Sequence, residues 1–278
     1  MLGGGSADAR RRGDVVLRRT RPWTSTVHGV LRFLEEQGFD GAPRIVGTGI
    51  TTDGFETLTF IEGDQVPPQG LSEDGAFALG ALLRSTHDVL AEFTPTGAEQ
   101  WMPCWVRSLP GENWILGHCD VAPWNVICRD GIPVALIDWD SCGPVARMWE
   151  LAHAVWLNAG LFDENLSEAH GQPITPERLR LAARICDGYE IIRSDRALLV
   201  DAMIEVAVRT AAQESDDSGV NEAAFMNEAA FTPNEFGLLG GGKPLEGREL
   251  TWALTWRIRS ARWLMDNRTQ LSEQLTRL

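Results

Sequence analysis

Hydrophobic periodicity changes once along this chain, and the change limits the folds open to it. A short polar strand, a Gly13-Asp14 turn and the run Val15-Val16-Leu17-Arg18 predict a hairpin near the start. Ser25 or Thr26 is placed to cap a helix running to about Gln37, with Val27, Val30, Leu31 and Leu34 on one face and Gly38 ending it. Strands are expected over 44–49 and 56–61, with Glu62-Gly63-Asp64 as a hinge. From Ser72 onward helical spacing dominates, predicting helices over about 72–90, 145–160, 175–193, 195–214 and 247–275. Only short strands, near Ile115 and over 134–137, interrupt them. Strands first and helices later predict an α+β fold in two lobes, a small β-rich one over 1–62 and a larger helical one over 63–278.

The richest chemistry lies where those short strands fall. Leu116 to Asp140 reads L-G-H-C-D-V-A-P-W-N-V-I-C-R-D-G-I-P-V-A-L-I-D-W-D. His118, Asp120 and Asn125 form an H-x-D-x-x-x-x-N spacing, and Asp138 follows at the end of an apolar run. A kinase catalytic loop uses this spacing to hold one general base and two metal ligands around a phosphoryl group. Such a transfer needs a carboxylate near the attacking hydroxyl, the expected role of Asp120. It also needs hard oxygens for Mg²⁺, which Asn125 and Asp138 can supply. His118 is expected to be structural, bonding the backbone around Asp138. A zinc site would need further close His or Cys ligands, and His87, His153 and His170 offer none at suitable spacing.

Composition narrows the partners. With 278 residues, 44% hydrophobic and 23% charged, the chain is long enough for a sizeable core. A formal charge of -14 argues against a nucleic-acid partner. No apolar run approaches the roughly 20 residues of a membrane span, and the first residues lack a signal peptide's apolar core, so a cytoplasmic location is expected. The five cysteines are scattered without a C-x-x-C pair and read as reduced thiols. Arginine outnumbers lysine 24 to 1, so a phosphate-anchoring lysine on an early strand must here be an arginine or be missing.

Gly117 to Asp140 resembles the aminoglycoside phosphotransferase family and its choline-kinase-like relatives, which share a bilobal protein-kinase-like fold. V-V-L-R-R-T-R-P-W, G-F-D-G-A-P-R-I-V-G, L-T-F-I-E-G and W-E-L-A-H extend the resemblance over most of the chain. It implies Asp120 as catalytic base, Asn125 and Asp138 as Mg²⁺ ligands, and the backbone of Phe60, Ile61 and Glu62 as purine contact. Asp140 then assists the metal or structures its loop. Two features depart from the family pattern. Arg18 is the best match to the usual strand lysine, with Arg19 facing the other way. The following helix has no Glu over residues 24–31, where His28 is the sole ionisable side chain.

Other motifs are less specific. The Gly3 to Gly5 cluster with Ser6 reads either as a loop over the triphosphate, Ser6 donating a hydrogen bond, or as a plain chain terminus. Residues 215–246 hold a tandem N-E-A-A-F at 221–225 and 227–231, a local duplication that either covers a substrate pocket or decorates the surface. Trp252, Trp256 and Trp263 share one helical face, as core or as a stacking platform. Glu150, Asp187, Glu190, Asp216 and Asp217 are candidate cation binders or solvated faces.

The expected activity is transfer of the γ-phosphoryl of ATP or GTP to a small-molecule hydroxyl, with Mg²⁺ as cofactor and Arg18 steadying the phosphates. The resemblance points to an antibiotic acceptor, either an aminoglycoside or a nucleoside type such as a capuramycin, and hence to resistance or self-protection. Two alternatives stay open: a metabolite kinase acting on choline, homoserine or a sugar, and a kinase-fold immunity protein that binds without turnover. A metal hydrolase is the more distant rival.

Overall fold

A computed structural model of the chain describes residues 9–109, 114–163, 165, 175–217 and 247–277. The first lobe is an antiparallel sheet of β1 (Arg10–Arg12), β2 (Val15–Arg19), β3 (Ile45–Ile50) and β4 (Phe55–Thr59), in the order β1-β2-β4-β3. Helix α1 (Thr24–Glu36) buries Val27, Val30, Leu31 and Leu34, the face that the spacing predicted. It starts one residue before the expected cap. Trp23 occupies the cap position without a side-chain bond, and the Thr24 hydroxyl instead accepts from the Arg21 amide at 2.8 Å. Gly38, at φ +71°, closes the helix while the Phe39 amide reaches back to the Leu34 carbonyl.

Glu62 to Asp64 is less free than a hinge. The two-residue strand β5 (Asp64–Gln65) pairs with β7 (Val126–Arg129), and the Arg129 Nε donates to the Glu62 carbonyl at 3.1 Å. The first lobe is thereby tied to the hairpin that follows Asn125. Helix α2 (Glu73–Leu90) begins as expected, with the Ser72 hydroxyl accepting from the Gly75 amide and Glu73 and Asp74 in the positive first turn.

Four short strands then frame the catalytic segment. β6 (Trp114–Gly117) pairs with β9 (Gly143–Ala146), and β7 pairs with β8 (Ile132–Leu136). Sequence periodicity missed β7 and β9, because each has four residues and β9 opens Gly-Pro, which reads as a turn.

Behind them α3 (Arg147–Asn158) is buried along Glu150 to Asn158, the pattern of a helix at the centre of a lobe. α4 (Thr175–Tyr189) and α5 (Arg193–Asp217) pack on it, Trp156 meets Trp256 of α6 (Gly247–Asp266), and α7 (Arg268–Arg277) packs in turn on α4 and α5. The single helix expected over 247–275 is two, divided at Asn267, whose side chain turns back to the Trp263 carbonyl at 2.8 Å. No helix among the described residues is long and apolar enough to cross a membrane.

Candidate active site

β6 delivers the chain to Asp120, and the apolar β8 delivers it to Asp138. Both deliveries bend sharply: Cys119 and Asp138 adopt left-handed backbone, φ +63° and +61°, a costly conformation for side chains other than glycine. His118 joins them. Its Nδ1 accepts from the Asp120 amide at 3.3 Å while its Nε2 donates to the Ile137 carbonyl at 2.8 Å, which fixes a neutral tautomer. Complete burial lowers the His118 pKa and favours that neutral ring. His118 thus bonds the backbone on both sides of the site, at Asp120 and at Ile137.

Asn125 makes the second connection. Its Nδ2 donates to Asp120 Oδ2 at 2.9 Å and to the Asp120 carbonyl at 3.0 Å, and its own carbonyl accepts from the Ile137 amide. Asn125 Oδ1 is buried without a hydrogen-bond partner. Desolvation and the nearby Asp138 charge together raise the Asp120 pKa to about 7, against the opposing pull of the Asn125 bond.

Arg18 stands across from these residues, 7% exposed. Its Nε meets Glu56 Oε2, its Nη1 donates to Asp138 Oδ1 at 2.8 Å, and its Nη2 donates to Asp140 Oδ1 at 2.9 Å. Burial works against its charge, yet Asp140, Asp138 and Glu56 together hold its pKa above the ordinary arginine value. Asp140 is raised to about 6 by burial, with Arg18 pulling the other way.

The counter-ion missing from α1 is supplied by Glu56 of β4, directly opposite Arg18 in the sheet. His28 of α1 braces Glu56 from its other side at 2.8 Å. Glu56 escaped the sequence reading because cross-strand partnership depends on register. Arg19 points away and lies 4.4 Å over the Phe55 ring, as alternation predicted.

Asp138 Oδ2 takes no hydrogen bond among the described residues. With the orphaned Asn125 Oδ1 it leaves two hard oxygens, a donor set that fits Mg²⁺. No group of three or more His, Cys, Asp or Glu able to hold a metal occurs among the described residues.

The remaining expected residues are more scattered. The Phe60 amide donates to the Asp14 carbonyl, the Arg11 guanidinium lies 3.6 Å over the Phe60 ring, and Arg11 pairs with Glu62. Ile61 is half-buried between them. Ser6, the Gly3 to Gly5 cluster and the tandem N-E-A-A-F lie outside the described residues.

Trp256 and Trp263 are core, Trp256 stacking 5.1 Å from Trp156, whereas Trp252 is 46% exposed. Glu150 is no surface cation binder. It is buried, accepting from the Cys119 amide at 2.7 Å and from His87 Nε2 at 2.9 Å, and His87 Nδ1 meets the Tyr189 hydroxyl at 2.7 Å. Burial pushes its carboxyl up, but His87 and the Cys119 amide hold it below the ordinary value. Asp187 is spent on Arg184 and Arg196.

Comparison with known proteins gives this geometry a setting. A family model described as the phosphotransferase enzyme family matches residues 98–183, which include Asp120, Asn125, Asp138 and Asp140. The trifolitoxin immunity protein of Rhizobium leguminosarum bv. trifolii is 40% identical over 275 residues, 99% of this chain and 97% of the relative.

Among solved structures, a choline/ethanolamine kinase family protein from Mesorhizobium loti has a TM-score of 0.60 at 14% identity, covering 100% of this chain and 91% of that one. An amicoumacin kinase solved with AMP-PNP and Ca²⁺ has a TM-score of 0.58 at 12% identity, covering 95% and 87%. These two likenesses speak for the bilobal kinase-like fold. On the family match across the catalytic segment and the near full-length relative, the chain belongs to the phosphotransferase enzyme family.

Proposed function

We propose that this protein transfers the γ-phosphoryl of ATP or GTP to a hydroxyl of a small molecule, with an antibiotic or toxin as acceptor and self-protection as the outcome. In this reading residues 1–62 hold the nucleotide and residues 63–278 supply the catalytic groups and the acceptor site. One observation carries it: a half-buried carboxylate with a pKa near 7 is hydrogen-bonded to an amide whose oxygen is left over, and Asp138 stands across the site.

A carboxylate poised near neutral pH is suited to take the proton of an attacking hydroxyl, the role given to Asp120. As the acceptor oxygen bonds to the γ-phosphorus, the bond to the β-phosphate oxygen breaks, and the nucleoside diphosphate leaves with that electron pair. Asn125 orients the Asp120 carboxylate through Nδ2, and His118 fixes the loop. Asn125 Oδ1 and Asp138 would hold Mg²⁺, which when bound neutralises phosphate charge. The location we expect is the cytoplasm, where nucleotide is available.

The nucleotide-bound kinase of the same fold and the relative named for toxin immunity support this reading. Incubating the protein with ATP or GTP, Mg²⁺ and a panel of antibiotics is expected to add the mass of one phosphate to an acceptor, and Asp120→Asn is expected to abolish that gain.

A second reading is favoured by Arg18, whose three nitrogens are all spent on carboxylates. It is an immunity protein that sequesters its toxin. Protection of cells by Asp120→Asn equal to that by wild type, with no phosphorylated product, would select it.

A further inference from the structure

We infer that Arg18 is a resident cation of the active site, held at Nε by Glu56 and offered to Asp138 and Asp140, so that a divalent metal binds Asp138 in competition with its guanidinium. This rests on the reading of Asp138 as a metal ligand.

Glu56, Asp138 and Asp140 bring three carboxylates around one point, with side chains 1%, 16% and 7% exposed. Like charges so poorly hydrated repel strongly, and without a cation among them they would hold protons or push the loop apart. A guanidinium fits, because its planar fork spreads one charge over three nitrogens that face three separated carboxylates, where an ammonium gathers its three donors on a single nitrogen.

The tether is asymmetric. Glu56 and Arg18 face each other across the sheet, and His28 braces Glu56 from α1, so the Nε contact belongs wholly to the first lobe. The two Nη contacts reach the other lobe at 2.8 and 2.9 Å. Metal at Asp138 Oδ2 and Asn125 Oδ1 would bring a second positive charge beside Arg18. The contact that yields is then the Nη1 bond to Asp138, while Glu56 retains the arginine. Its freed Nη1 would become a donor for a phosphate that arrives with the metal, while Nη2 stays on Asp140.

The test uses the full-length, metal-free protein and Mn²⁺ alone, without nucleotide, read as free Mn²⁺ by electron paramagnetic resonance and as thermal unfolding by circular dichroism. Arg18→Met is expected to bind Mn²⁺ about tenfold or more tightly than wild type, because the competing charge is gone. Its metal-free melting temperature is expected to fall and to recover as Mn²⁺ is added. Unchanged or weaker Mn²⁺ binding by folded Arg18→Met would overturn the inference.

If Arg18→Met does not fold with or without metal, Arg18→Lys decides. It keeps the charge but not the fork, so its affinity should exceed that of wild type, and an affinity equal or lower overturns the inference. Acceptor phosphorylation is scored separately. Tighter binding by Arg18→Met in a protein that transfers no phosphate would sink the proposed activity alone, whereas phosphate transfer with unchanged binding would sink this inference alone.

Discussion

At Asp120 three effects meet on one carboxyl. Burial and the Asp138 charge push its pKa up, the Asn125 amide pulls it down, and the result lies near 7. Replacing it with Asn removes the proton acceptor and also one of two neighbouring negative charges. The expected outcome for Asp120→Asn is a fall in phosphoryl transfer of about 10²- to 10⁴-fold with a melting temperature unchanged or higher, read by product mass spectrometry and calorimetry.

His153 offers a different residue-scale test. It is buried beside Trp105 and Trp156, with its Nδ1 unpartnered, and burial lowers its pKa from 6.5 to about 4. Between these values the unfolded chain binds the proton and the folded one does not. Its contribution is therefore complete above pH 6.5 and is lost as pH falls towards 4, on the order of 3 kcal/mol. His153→Phe should remove this fall, seen as the difference between the two proteins in urea unfolding across pH 4–7.

The catalytic-loop residues named from sequence share one motif, whereas Glu56, which was missed, is set by tertiary contact. Asp120, Asn125 and Asp138 were legible because loop spacing fixes them. Glu56 was not, because its partner Arg18 lies 38 residues away and only the β2 to β4 register brings them together.

Among the elements, the turn from β6 into the catalytic loop depends on a buried support. Glu150 of α3 holds the Cys119 amide while His87 of α2 and Tyr189 of α4 hold Glu150 from behind. Three helices thereby fix one left-handed residue next to Asp120. Glu150→Ala leaves the buried Cys119 amide and the His87 ring without their acceptor and frees the loop, and should cost about 1–3 kcal/mol for each group left unpaired, read in urea unfolding.

Gly117 lies in the same cluster. A Cβ there would collide with Glu150 Oε2 and with the Val145 side chain. Gly117→Ala is accordingly expected to destabilise by about 1–3 kcal/mol and to lower phosphoryl transfer, because the displaced carboxylate would release Cys119. Helix α1 was readable in advance because its apolar face repeats over thirteen residues. β7 and β9, at four residues each, have no period to read, and their strand character comes from the partners they meet in the fold.

At the scale of the molecule, few direct bonds join the β-rich sheet and α1 to the rest. The Leu136 amide donates to the Gly41 carbonyl at 2.9 Å, the Gln100 amide donates to Thr26 Oγ1 at 2.9 Å, and Arg129 reaches the Glu62 carbonyl. Arg18 supplies the charged contacts, and it supplies them inside the site where nucleotide would enter. A triphosphate arriving alone would bring negative charge against Asp120, Asp138 and Asp140, with Arg18 and, beside Asp120, Arg257 to offset it, in a chain already at -14. Mg²⁺ would relieve that repulsion, and in the proposed reading the ligand would then bridge both lobes. Nucleotide with Mg²⁺ at about 100 times its dissociation constant is expected to stabilise the fold by about 2.7 kcal/mol. Nucleotide without the metal should give a much smaller shift in the same thermal unfolding measurement. Equal shifts with and without Mg²⁺ would mean that Arg18 alone neutralises the phosphates, and that the Asn125 and Asp138 oxygens serve the loop and not a cation.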